Sequence, residues 1–123
     1  MRVFLIDDME DILFLLLQGL KEEFPEEKLN FFLFTSPKEA WEKIEKEKIV
    51  PDIIIVDYDM PDGDGVSFAK KVKEKYPLTY IILFTGHIVD FIIMGNEIDE
   101  AVSKPSLEGD IFKAFEKALK KNK

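Results

Sequence analysis

Pro51-Asp52-Ile53-Ile54-Ile55-Val56-Asp57 is the stretch on which the fold turns. Four β-branched residues in a row are too few for a helix, and their unbroken apolarity leaves no polar face for a half-exposed strand. Such a run is covered on both sides, as at the centre of a parallel sheet. Working outward, short apolar runs recur at residues 3–6, 31–34 and 80–84, and residues 98–102 read as a further short strand. Helical spacing follows each strand, over residues 10–24, 37–48, 66–75, 88–94 and 106–120. Ser36 can cap the second helix, Pro37 suits its first position and Glu39 can reach back. Residues 62–65 form a Gly-rich loop before the third helix. Five strand-helix units predict an α/β fold, a doubly wound parallel sheet with helices on both faces, because right-handed crossovers must cover the sheet.

The chain has 123 residues, 34% of them charged, a formal charge of −8 and no cysteine. That length suits one domain, expected over residues 1–123 with no effector domain, whose core needs no disulfide or metal. Without cysteine there is no thiol nucleophile or thiolate metal site. Asp7 and Asp8 interrupt the first apolar run before a signal-peptide core develops, and the longest apolar run, residues 12–17, is far below the ~18 residues of a membrane span. A cytoplasmic protein with no membrane partner is expected. The acidic balance argues equally against nucleic acid, since phosphate backbones are bound by clustered Lys and Arg. The bias to Lys over Arg and Glu over Asp resembles thermophile proteins rich in ion pairs. The pairs Glu39/Lys43, Glu42/Lys46 and Glu116/Lys120 have the favourable polarity for solvated helix faces.

In open α/β sheets ligands bind outside the carboxyl ends of the strands, and here the polar residues gather there. Asp7 and Asp8 follow the first strand, Asp57 the third, Thr85 the fourth and Lys104 the fifth. Three carboxylates brought together need a cation or a proton. With one His in the chain, His87, oxygen donors favour Mg²⁺, with Mn²⁺ as a substitute. Such an ion points to phosphoryl chemistry. Asp57 is then the nucleophile, as in aspartyl-phosphate intermediates. Lys104 neutralises one phosphoryl oxygen and the Thr85 hydroxyl donates to another.

At Ile6-Asp7-Asp8, Val56-Asp57-Tyr58-Asp59-Met60-Pro61-Asp62-Gly63-Asp64-Gly65, Thr85-Gly86 and Lys104-Pro105 the chain resembles the receiver domain of two-component response regulators, along its whole length. The resemblance implies a flavodoxin-like three-layer sandwich with strand order 2-1-3-4-5. It implies Asp57 as phosphoacceptor, with Thr85 and Lys104 on the phosphoryl group. It further implies Mg²⁺ held by Asp8, Asp57 and the Asp59 backbone carbonyl, with Asp7 acting through water, and often a cis Lys104-Pro105 bond. A histidine kinase or phosphotransfer protein would donate, and a downstream protein of unknown identity would receive the signal. Catalysis is expected to be confined to the domain's own phosphorylation and dephosphorylation.

Five features depart from the family pattern. Ala101 stands where a Tyr or Phe usually switches, three residues before Lys104. The short interval from Thr85 to Lys104 clips the fourth helix, and Gly86 replaces the usual Ala. Asp59 adds negative charge near the entry of a phosphoanion, and His87 lies two residues after Thr85, so both are expected to modulate turnover.

Ala101 and the clipped helix leave a phosphorylation-independent interaction module as an alternative. Val56-Asp57-Tyr58-Asp59 also resembles the start of haloacid-dehalogenase-type phosphatases, although Pro61 stands where they carry Thr or Val. An EF-hand fails, because its ligand positions would fall on Pro61 and Phe68. The first helix has a wider apolar surface than one core stripe needs, making Phe14 with Leu17 a candidate kinase contact. Ile93 and Met94 are the candidate contact for a homodimer or output partner.

Overall fold

The structure, a computed structural model, describes residues 1–86, 95–104 and 109–122. Five strands, β1 (Arg2–Ile6), β2 (Asn30–Phe34), β3 (Ile53–Val56), β4 (Tyr80–Thr85) and β5 (Glu100–Ser103), form one parallel sheet. Their order is β2-β1-β3-β4-β5, the expected one. The helices are α1 (Glu10–Glu23), α2 (Pro37–Glu47), α3 (Gly65–Lys75) and α4 (Asp110–Lys121). All four residues of β3 are buried, which is why the segment carries no polar residue.

Alternation along the strands sorts the core into two layers. Val3, Leu5, Ile53, Ile55, Ile82 and Phe84 pack with α1 and α4. Phe4, Ile6, Ile54, Val56, Ile81 and Leu83 pack with α2 and α3. Each fully buried Ile or Leu contributes about 1.5–3 kcal/mol.

Several local expectations hold and others shift. Ser36 Oγ accepts from the Glu39 N–H at 3.2 Å, with Pro37 in the first turn of α2, and Lys48 closes that helix in the left-handed region at φ 55°. Between β3 and α3 the expected loop carries a two-residue antiparallel hairpin, Asp59–Met60 with Gly63–Asp64. Asp64 then caps α3, accepting from the Ser67 N–H and hydroxyl, each at 2.8 Å. The last strand begins at Glu100 rather than Ile98, because residues 95–97 form a 3₁₀ turn. The last helix begins at Asp110 rather than Ser106, because Gly109 takes φ 63° and breaks a helical run. Glu116 and Lys120 form their i,i+4 pair at 3.1 Å, whereas Lys43 pairs with Glu47 at 2.8 Å instead of Glu39. The expected helix over 88–94, with Ile93 and Met94, lies outside the described residues, as do His87 and the Lys104-Pro105 bond. No helix among the described residues is long and apolar enough to cross a membrane.

Candidate functional site

The site is assembled by register. Ile6 is level with Val56 across the β1–β3 pairing, so Asp7 and Asp57, each one residue further on, leave adjacent strands at the same height. Asp7 continues the alternation of Val3 and Leu5, Asp57 that of Ile53 and Ile55, and Lys104 that of Val102, all toward the α1/α4 layer. Thr85 continues that of Ile81 and Leu83, toward the other layer.

The three groups of like parity meet. The Lys104 ammonium lies 2.6 Å from Asp7 Oδ2 and 3.3 Å from Asp57 Oδ2. Asp7 is 2% exposed and Asp57 8%, so the pairs are held largely out of water, where charge-charge energies are larger than at a surface. Each acid also has a backbone donor. The Met9 N–H donates to Asp7 Oδ1 at 2.9 Å, and the Tyr58 N–H to Asp57 Oδ1 at 2.8 Å. Burial pushes the Asp7 carboxyl above its ordinary value, against the pull of the Lys104 hydrogen bond, the Met9 amide and the Lys104 charge, while the Asp57 charge pushes it further up.

Asp8 is exposed at the mouth of this arrangement. One carboxylate oxygen from each of Asp7, Asp8 and Asp57 lies within 4.8 Å of the others. Three carboxylates against one ammonium leave two formal negative charges, and all the donors are oxygen. This donor set fits a hard divalent cation better than a soft or thiophilic one.

Thr85 ends β4, is 3% exposed, and its carbonyl accepts the Lys104 N–H at 2.9 Å, which ties the end of β5 to the end of β4. Asp59 is exposed on the hairpin, and Ala101 is exposed on β5. Phe14 projects outward, 60% exposed, but Leu17 is half-buried against the core, so the exposed neighbour of Phe14 is Leu15. Met9 is 55% exposed at the N-cap of α1.

Sequence reasoning missed the part played by Gly65. A Cβ at this position would stand 2.2 Å from the Asp57 carbonyl oxygen, so the first turn of α3 presses on the backbone of Asp57 as only glycine allows. A glycine at the first turn of a helix, following the last strand acid by a few residues, was the available signal.

A family model described as the response regulator receiver domain matches residues 3–116. The chain is 32% identical over 85 residues to response regulator protein VraR of Staphylococcus saprophyticus subsp. saprophyticus, covering 67% of this chain and 40% of VraR. The isolated REC domain of RcsB from Salmonella enterica serovar Typhimurium, in the presence of phosphomimetic BeF3−, superposes with a TM-score of 0.79 at 25% identity, over 98% of this chain and 88% of that one. A response regulator receiver domain protein (CheY-like) from Methanospirillum hungatei JF-1 has the same fold, with a TM-score of 0.79 at 23% identity over 98% and 95% of the two chains. The chain spans less than half the length of the curated relatives it matches.

Proposed function

We propose a function from one premise: the chain belongs to the response regulator receiver domain family. It takes a phosphoryl group from a histidine kinase or phosphotransfer protein onto Asp57 and passes the signal by docking on another protein. The observation that carries this reading is the Lys104 ammonium held between Asp7 and Asp57, with Asp8 close enough to complete a cation site. Mg²⁺ is the ion proposed, with Asp7, Asp8, Asp57 and the Asp59 backbone carbonyl to hold it. When bound, it supplies positive charge against the phosphoryl oxygens and against the repulsion of the carboxylates.

The chain's own groups do the rest. An Asp57 carboxylate oxygen forms a bond to phosphorus as the bond from phosphorus to the donor imidazole nitrogen breaks. The electron pair leaves with that nitrogen, and no proton need leave Asp57. Lys104, already against Asp57 Oδ2, neutralises a phosphoryl oxygen, and the Thr85 hydroxyl donates to another. The Tyr58 N–H holds Asp57 Oδ1 and so fixes the plane of the carboxylate. Asp59 and His87 tune the rate, Asp59 by repelling an incoming anion. Phe14, with Leu17 beneath it, is the proposed kinase contact on α1. Catalysis on this reading is confined to the chain's own phosphorylation and dephosphorylation, and the cytoplasm is its place of action.

The test is labelling by acetyl phosphate with Mg²⁺, read by intact mass, on the wild type and Asp57→Asn. One added phosphoryl group on the wild type and none on the variant is expected. An unlabelled wild type overturns the reading in favour of a phosphorylation-independent module, for which the exposed Ala101 is the supporting observation. Multiple turnover of added phosphate esters overturns it in favour of a haloacid-dehalogenase-type phosphatase.

A further inference from the structure

The sheet has two edge strands, and β2 carries none of the usual devices that keep an edge from pairing. Asn30–Phe34 has no charge and no proline, and it pairs with β1 in unbroken register from Arg2↔Asn30 to Ile6↔Phe34, so no bulge turns it aside. Phe31, Phe32, Leu33 and Phe34 are all only half-buried. Phe31 and Leu33 lean on the α1/α4 layer, while Phe32 and Phe34 stack near Phe4, with ring centroids 5.5 and 4.9 Å away.

The backbone of β2 points in known directions. The Asn30 N–H donates to the Met1 carbonyl, and the Phe34 carbonyl accepts from the Asp7 N–H. In a parallel ladder the N–H and C=O of one residue face the same neighbour, and residues alternate. Residues 30, 32 and 34 therefore face β1, whereas Phe31 and Leu33 direct both groups away from the sheet.

We propose that this edge pairs with β2 of a second copy of the chain, antiparallel, about a two-fold axis at Phe32. The outward groups lie symmetrically about that central residue, so the strand is its own complement. Phe31 falls opposite the partner's Leu33, and Leu33 opposite the partner's Phe31. Each such pair exchanges two backbone hydrogen bonds, four in all, and uses every outward group of the strand. The parity matters, because a register shifted by one residue would set outward groups against residues that face β1. Phe32 meets its symmetry mate at the axis, where an aromatic pair is favourable. Charge agrees with this occupant. A surface carrying −8 repels its copy, but this strand has no charge, and the Lys43 ammonium, 5.7 Å from the Phe32 ring, is neutralised by Glu47 at 2.8 Å, so no net charge is added beside Phe32. The proposal is independent of phosphorylation, and its test uses none.

Sedimentation between about 10 and 500 µM, a range suited to a small interface, combined with amide exchange at both ends, decides it. The expected result is a mass rising from 14.3 kDa toward twice that value, with the Phe31 and Leu33 amides slowing at least tenfold only at the high concentration. Leu33→Pro removes an outward donor and no bond to β1, so it should stay monomeric. Phe31→Lys, whose long side chain can reach water from a half-buried position, should do the same and guards against a proline that disturbs the strand. A monomer throughout overturns the proposal, as does a dimer whose Phe31 and Leu33 amides exchange at the monomer rate. Protection of those amides only when a histidine kinase is added assigns the edge to a foreign strand, and also overturns it.

Discussion

The two ends of the sheet carry similar residues put to different uses. At the amino ends of the strands, Asp52 Oδ2 accepts the Arg2 N–H at 2.8 Å, and Asp99 Oδ2 accepts the Ile81 N–H at 2.8 Å together with the Lys73 ammonium at 2.8 Å. The buried Thr79 hydroxyl donates to the Pro51 carbonyl at 2.8 Å. Each acid there faces a different amide, so it caps a strand and completes the backbone's hydrogen bonding. At the carboxyl ends Asp7, Asp8 and Asp57 converge, with the Lys104 ammonium between Asp7 and Asp57. Dispersed acids close off backbone donors, whereas converged acids repel and draw in a cation. An aspartate beside a strand is therefore no sign of function; convergence is.

This contrast can be broken or sharpened by substitution. The largest effect is expected for Lys104→Ala, which takes the ammonium from between Asp7 and Asp57. Acetyl phosphate labelling should fall about 100-fold, the scale for losing one pre-placed electrostatic partner. If Asp99→Ala lowers labelling as much, the division between the ends is wrong.

Next is Gly65→Ala. Its Cβ collides with the Asp57 carbonyl, a backbone atom with no rotamer to yield. A loss of about 1–3 kcal/mol in urea unfolding is expected, on the scale of overpacking, together with slower labelling at full occupancy of folded chain. Unchanged labelling in folded protein would show that the contact positions α3 alone.

Asp99→Ala should cost about 1–3 kcal/mol in the same unfolding measurement, because the N–H of the buried Ile81 loses its acceptor, yet should leave labelling within about twofold.

The smallest effect concerns Tyr80, at the amino end of β4. Burial raises its phenol above the ordinary value, and the charges of Glu100 and Asp99 add to this. A raised folded value means a stabilising contribution that is complete below the unfolded value near 10 and is lost as pH rises through the folded one. Tyr80→Phe should flatten the decline in stability above pH 10, and urea titrations from pH 8 to 11 on both proteins would register the difference.

Much of this was legible along the chain. The β-branched run at Ile53–Val56 announced a buried parallel strand, because no polar side chain interrupts it, and the recurrent strand-helix rhythm gave the sheet. The site acids were legible because they end strands. Boundaries were less so. The start of α4 depended on the backbone angle of Gly109, and Lys43 pairs with Glu47 rather than Glu39, a choice between two equally spaced partners that spacing alone does not make. On α1, spacing told which face is apolar but not how wide the covering is, so Leu17 and Phe14 looked alike although one is half-buried and the other 60% exposed.

The linear order of residues was enough to determine the kind of sheet and the strand ends from which the chemistry comes, since both follow from local patterns of polarity. Which of those side chains meet was decided by tertiary structure. The register of β1 against β3 and the two-residue alternation of each strand set Asp7, Asp57 and Lys104 on one side and Thr85 on the other. The missing side chain of Gly65 became meaningful only when α3 folded back onto the carbonyl of Asp57. Distances between strands belong to the assembled sheet, and no single segment contains them.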